Sequence, residues 1–351
     1  MKATVNTTDL AKALTSVRPA VANQRPFVML STEVGLEVAA DDMDMAVNCS
    51  TPAESTKGEC LVPYKPLSAF VGKVRAERVA MEVDGSALVL TAGRSKMTLT
   101  TVDSGWFPQR PEPEADVEAV LEVSEWERIR SLVPFASQKE SMGPLQGVFF
   151  DGDGAMAQDT LRLGLVDYGF GFTTLIPTSV IAAVGDPSEA VKVTADDRSI
   201  RLTCGGVSIQ SSALAGDYPQ VRQPLSTFQK VGSISMVTAE FADAVDRASI
   251  LSREGTAGSK VVLFRIAADS MIVESWPDAS AEASDVITEE VEARVDNVEA
   301  TFGIHAGHLG PVLDLLGRPG ELTLTYCGER KPLLLTEGDV TAMLGVIARG
   351  S

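Results

Sequence analysis

Histidine is the scarcest side chain with chemical reach here. Only His305 and His308 occur in 351 residues, which leaves little room for a Ser/His/Asp relay. The two lie in "FGIHAGHLGPVLDLLG" at a spacing that a helix would bring to one face, yet no acid or cysteine at ligand spacing accompanies them, so metal binding is not expected. Cys49, Cys60, Cys204 and Cys327 are scattered without a Cys-x-x-Cys pair. That excludes a zinc knuckle or a dense disulfide framework and predicts buried free thiols. No run approaches the ~18 apolar residues of a membrane-spanning helix. The opening "MKATVNTTDL" has no apolar signal core, so a cytoplasmic protein without a membrane partner is expected, and the glycosylation-like triplets at Asn6 and Asn48 have no use there. GxxxxGK[ST], strand-linked GxGxxG and GxSxG motifs are missing. "FFDGDGAMAQD" starts like a calcium loop but places Arg162 where the closing Glu belongs, so Asp151 to Gly154 reads as a hairpin turn. "YGFGF" at 168–172 reads as an aromatic strand whose glycines mark a bulge or tight packing. Asp41-Asp42 and Asp196-Asp197 read as solvated turn acids. No catalytic set and no cofactor or metal site emerges, and the chain is not expected to be an enzyme.

The charge is one-sided: 48 acidic against 30 basic residues give −18. A total of that sign argues against nucleic acid, but distribution matters more than the total. The first helical stretch and the residues just after it carry Lys12, Arg18 and Arg25. The next carries Lys65, Lys73 and Arg75, and a third adds Arg128, Arg130 and Lys139. Acids concentrate in turns and connectors such as "ADDMD", "RPEPEADVE" and "SAEASDVITEEVEARVD".

The chain repeats itself. Phe107-Pro108-Gln109 and Tyr218-Pro219-Gln220 echo each other, and "LVPYKPLSAFVGKV" from Leu61 is matched by "LIPTSVIAAVG" from Leu175. Three stretches open with Ser or Thr before an acid, a helix N-cap signal. They then space apolar residues three and four apart: Leu10, Leu14, Val17; Trp126, Ile129, Leu132; Phe241, Val245, Ala248. Three meanders follow, beginning "RVAMEVDGSALVL", "AVKVTADDRSIRL" and "GELTLTYCGERKP", with turns at Asp84-Gly85, Gly93, Asp196-Asp197 and Gly205-Gly206. An acidic segment lengthens the third copy. Each copy reads as strand, helix, strands, second helix and a three-stranded meander, and the aromatic-Pro-Gln phrases sit at the junctions as stiff connectors. The expected boundaries are 1–112, 119–222 and 230–351.

In this order and spacing, "GRSKMTLTTV…FP", "RPFVML", "LQGVFF", "DYPQVRQ", "RASILSRE" and "KPLLL" resemble the bacterial sliding clamp family, the β subunit of DNA polymerase III, over essentially the whole chain. The resemblance implies an α+β fold of three tandem similar clamp units, each with two helices packed on antiparallel sheets. Chains would close head-to-tail into a homodimeric ring around duplex DNA, without sequence preference, as a processivity factor. Partners would be DNA polymerase and a clamp loader, held through short peptide motifs. DNA contacts would fall at Arg25, with Lys73, Lys139, Lys12 and Arg18 on the same basic lining. The dimer contact would involve Met97 and Leu99 on one side and Ile250 and Leu251 on the other. The client-peptide groove would be formed by Leu145, Thr160, Leu161, Arg162, Leu163, Pro219, Gln223, Pro224, Leu344, Val346 and Ala348. Here the chain departs from the family: Thr-Asp-Gly-His-Arg-Leu reads "QDTLRL", and Met-Pro-x-Arg-Leu reads "VIARGS". Two rival readings are a clamp-like decoy or scaffold that binds clamp partners without encircling DNA, and an unrelated enzyme on a repeated β-rich scaffold. The missing acid–base and metal sets disfavour the enzyme.

Overall fold

The computed structural model describes residues 1–254, 259–267, 270–276 and 285–348. Part of the acidic segment (277–284) and the end of "VIARGS" (349–351) lie outside the described residues, as do the side chains of Glu140 and Ala348. The first third runs β1 (Lys2–Asn6), α1 (Thr7–Val17), β2 (Phe27–Thr32), β3 (Leu36–Asp41), β4 (Met45–Thr51), β5 (Ala53–Thr56), β6 (Gly58–Pro63) and α2 (Tyr64–Val71), then the meander β7 (Arg78–Asp84), β8 (Ala87–Ala92) and β9 (Ser95–Thr100). Next come β10 (Val117–Leu121), α3 (Val123–Leu132), β11 (Gly147–Asp151), β12 (Ala155–Gln158), β13 (Arg162–Val166), β14 (Thr173–Pro177) and α4 (Thr178–Val184). Their meander is β15 (Val191–Ala195), β16 (Ser199–Cys204) and β17 (Val207–Ser212), followed by the short α5 (Arg222–Ser226). The last third has β18 (Gly232–Val237), α6 (Thr238–Ser249), β19 (Val261–Ala267), β20 (Ser270–Ser275), β21 (Thr288–Asp296), β22 (Ala300–His305) and α7 (Leu309–Leu315). It closes with β23 (Glu321–Tyr326), β24 (Leu333–Glu337), β25 (Val340–Leu344) and β26 (Ile347–Ala348).

Contacts divide the chain into two compact units. Met1–Trp126 with Ser179–Ala213 forms one, and Glu127–Thr178 with Leu214–Ser351 forms the other. The first holds a five-stranded sheet in the order β5-β1-β7-β8-β9 and an eight-stranded sheet in the order β10-β15-β16-β17-β4-β3-β2-β6. The second holds one sheet of thirteen strands, β14-β11-β12-β13-β25-β24-β23-β18-β21-β20-β19-β22-β26. Every pairing is antiparallel, so alternate residues face opposite sides of each sheet.

Helices cover one side. Leu10, Ala13, Leu14 and Val17 on α1 are buried as the 3.6-residue period requires, and α1 packs on β3 and β4. Trp126, Ile129 and Leu132 on α3 and Phe241, Val245 and Ala248 on α6 are buried likewise. Burial of roughly 1.5–3 kcal/mol per large apolar side chain makes these stripes, more than intrinsic propensity, the reason the helices persist. Their starts differ from expectation. Asn6 caps α1 by accepting from Thr8 N at 2.8 Å, and Thr7 already lies in the first turn, its hydroxyl donating to Ala76 O. Thr238 is likewise inside α6, where Val237 takes the cap position without a side-chain bond.

Four other expectations are corrected. The "YGFGF" segment is a loop, and a Cβ at Gly169 or Gly171 would meet nothing within 4 Å, so the glycines relieve no tight packing. Asp41 is buried, not solvated, because Arg110 from the connector reaches it with two bonds, Nε to Oδ2 at 2.6 Å and Nη2 to Oδ1 at 3.0 Å. His305 ends a strand and His308 lies in a 3-10 turn, so the pair does not share a helix face. Cys49 and Cys60 are buried free thiols, whereas Cys204 and Cys327 are only half-buried.

Candidate functional site

The expected groove residues fall in the second compact unit, around one apolar cluster. Met156, Leu163, Leu165, Tyr218 and Val221 are its buried members, with Leu145, Phe149, Leu175, Leu225 and Met343 packed on them. The connector lies directly on the sheet: Tyr218 stacks on Phe149 with centroids 4.8 Å apart. Arg222 holds the connector in place by donating to Asp151 (Nε to Oδ2, 2.5 Å) and to Asp167. The Arg222 contact holds the Asp151 carboxyl below its usual range even though burial opposes this.

Face assignments follow from Gly164. A Cβ there would sit 2.9–3.0 Å from Leu315, Phe135 and Leu132, so this side of β13 meets the helices, and Leu163 and Leu165 point the other way toward the connector. Leu145 and Leu163 therefore meet on the connector side, while Pro219, Gln223 and Pro224 are exposed on the connector itself. Arg162 and its register partner Leu344 face the helices instead. Arg162 donates to Asp159 at 3.1 Å, and its guanidinium lies 5.8 Å from the Phe135 ring centroid. Asp159 also accepts from the backbone of Leu161 and Arg162, which fixes the turn carrying exposed Thr160 and half-buried Leu161. Gly345 N closes that turn on Leu161 O at 2.6 Å. Val346 is half-buried beyond it, and the Ala348 backbone pairs with Phe302.

The sequence reading missed Phe149, Met156, Leu165, Tyr218, Leu225 and Met343 as members of this face. One signal was available. In "RLGLV", Leu163 and Leu165 share one parity and Gly164 and Val166 leave the other with little polarity beyond Arg162, which a strand with one solvated face does not need.

The expected interface residues are accessible. Met97 and Leu99 lie half-buried on β9, which pairs only with β8 among the described residues and is an edge of its sheet. Ile250 is 68% and Leu251 43% exposed just past α6, an unusual exposure for adjacent large aliphatic residues. Of the basic candidates, Lys12, Arg18, Lys73 and Lys139 are exposed and Arg25 is half-buried. None of the five joins an ion pair among the described residues. Lys2, Arg78 and Arg201 on strands, Lys57 in a turn and Arg110 on the connector are each paired with a carboxylate.

Residues 1–111 match the family model "DNA polymerase III beta subunit, N-terminal domain". The β sliding clamp of Bacillus subtilis is 23% identical, with 97% of each chain covered. Over nearly its whole length the chain is similar to bacterial sliding clamps. The solved clamp of B. subtilis superposes with a TM-score of 0.89 at 20% identity, covering 99% of both chains. A sliding clamp from Bartonella birtlesii, solved bound to griselimycin, matches with a TM-score of 0.88 at 20% identity over 99% of this chain and 100% of its own. The chain thus has the α+β sliding-clamp fold. No helix among the described residues is long and apolar enough to cross a membrane.

Proposed function

We propose that the chain is a DNA sliding clamp, a non-enzymatic processivity factor of the cytoplasm that encircles duplex DNA as a head-to-tail homodimer. It would tether polymerase, and engage its loader, through short peptides bound beside the Tyr218–Pro224 connector. Its three units would be 1–112, 119–222 and 230–351, structural repeats that need not coincide with the two compact packing units.

The observation that carries this reading is a pattern of strand pairing. In repeat order, β4, β13 and β21 correspond, as do the last meander strands β9, β17 and β25. Within the chain β17 pairs with β4, and β25 pairs with β13. That leaves one strand of each kind. Among the described residues β9 has a free edge, and the first half of β21, 288–292, pairs with β20 alone, while β18 takes only 293–296. The third pairing of the series is therefore available only between chains. Charge supports it: Arg94 and Lys96 are exposed on the β9 side, and Glu290 and Glu292 are exposed on β21, all without ion-pair partners among the described residues. A heterologous contact of this kind closes by two-fold symmetry once two chains meet. Exposed edges that are not paired in this way are an aggregation hazard, which gives them a second reason to be covered.

The free cations Lys12, Arg18, Arg25, Lys73 and Lys139 suit a lining that attracts phosphates without reading bases. Size and topology together test the proposal. A dimer of twice the 37.1 kDa chain is expected in sedimentation, and protein loaded on nicked circular DNA should be lost when the circle is cut. A monomer at micromolar concentration, or equal retention on cut and uncut DNA, overturns it.

A further inference from the structure

The first connector covers a face that corresponds strand by strand to the groove face, and the two faces are built differently. Register defines the match. Met29 pairs with Ala39 and Leu61, Ala39 with Asn48, and Ala46 with Gln210. In the second copy Phe149 pairs with Met156 and Leu175, Met156 with Leu165, and Leu163 with Met343. Large apolar groups at four positions of the second copy, Met156, Leu165, Leu163 and Met343, are thus replaced by Ala39, Asn48, Ala46 and Gln210. The side chains removed are not made up elsewhere. A cleft of about 560 Å³ remains, within the range of ligand sites, with all its lining in the first compact unit.

The cleft has an apolar end and an acidic end. Met29, Ala39 and Leu61 form a small cluster on which Phe107 of the connector packs, and the preceding Trp106 is 77% exposed. The connector is fastened by the Arg110–Asp41 pair, by Arg201 with Glu112, and by Gln210 Nε2 donating to Pro111 O at 2.6 Å. Each cation lining the cleft is already matched: Lys57 by Glu33, Arg110 by Asp41 and Arg201 by Glu112. Glu37 and Glu59 join no ion pair among the described residues. Both line the cleft, and both are register partners of Ser31, one on each side. Two strand spacings put their backbones roughly 10 Å apart. That span leaves room for a long cationic side chain lying over Ser31.

We propose that this cleft is a second peptide-docking site, taking an extended segment with one apolar side chain on the Met29–Ala39–Phe107 floor and a Lys or Arg between Glu37 and Glu59. The inference uses the repeat correspondence behind the clamp reading but does not depend on ring closure or DNA. Cleft charge selects against acidic segments, because five carboxylates face three cations there.

The probe is a fluorescein-labelled Gly-Phe-Ser-Lys-Ser-Gly peptide, followed by anisotropy on the full chain. Saturable binding is expected, weakened about tenfold (about 1.4 kcal/mol) by the Glu37→Gln/Glu59→Gln pair. Ala46→Leu, which restores the residue type found at Leu163 in the second copy, should abolish it by filling the cleft. Met343→Ala, on the other face, should leave it unchanged. The inference is overturned if the peptide does not bind below about 1 mM, if a Lys-to-Glu peptide binds as well, or if Met343→Ala rather than Ala46→Leu removes binding. Any of these results in a chain that still dimerises and stays on circular DNA would leave the clamp reading standing.

Discussion

Burial, followed by the Arg162 guanidinium and the neighbouring His305 ring, pushes the His308 imidazole down to about 4, against a smaller opposing pull from Asp159. An unfolded histidine titrates near 6.5, so between those values the unfolded chain takes up a proton that the folded chain refuses. Stability should therefore fall as pH drops from about 6.5 toward 4, by an amount on the order of 2–3 kcal/mol from this group. His305, also lowered by burial, adds in the same direction. The urea midpoint of the parent chain is expected to decline more steeply between pH 7 and pH 5 than that of His308→Gln, and parallel declines would refute the assignment. The sequence offered no acid or cysteine at ligand spacing beside this pair, but gave no sign that it was buried, since that depends on elements brought in from elsewhere in the chain. The same holds for Asp41. As a turn acid it reads as solvated, and only a residue 69 positions later, Arg110, makes its burial tolerable.

At the level of elements, periodicity was legible and packing partners were not. The three helical stripes and the paired turns of the meanders follow from the 3.6-residue and two-residue periods, which local sequence carries in full. "YGFGF" misleads because aromatic residues favour strands only when a neighbour offers a pleated surface, and here Phe150, Phe170 and Phe172 pack on one another around a loop instead. The groove members Phe149 and Met343 are far apart in sequence and come onto one face of the sheet through β12 and β13, a relation that only the register reveals. The same register isolates β9 and the first half of β21 as the unmatched pair. If they join two chains, their charges should matter more than their apolar content alone. Lys96→Glu is expected to weaken the dimer about tenfold and Glu290→Lys similarly, while the double exchange recovers most of the loss. Sedimentation equilibrium over a concentration series measures all three. Additive losses in the double variant would show that these edges do not meet.

For the molecule as a whole, a net charge of −18 and a small set of unpaired cations set a weak electrostatic attraction to DNA, and topology must then supply persistence. If about three phosphates are engaged at a time, log affinity falls with log salt at a slope near −2.7. Raising salt from about 50 to about 300 mM should then reduce direct binding to open linear duplex about 100-fold. Chains already closed around a nicked circle should be retained over the same range, because leaving requires opening an interface and not only releasing phosphates. Exchanging Arg18, Arg25 and Lys73 for Ala should flatten the linear-DNA slope toward zero while the circle still holds the protein. Gel filtration of loaded circles at each salt concentration separates the two contributions. Parallel loss from circles and linear fragments would mean that charge alone, without enclosure, holds this protein to DNA.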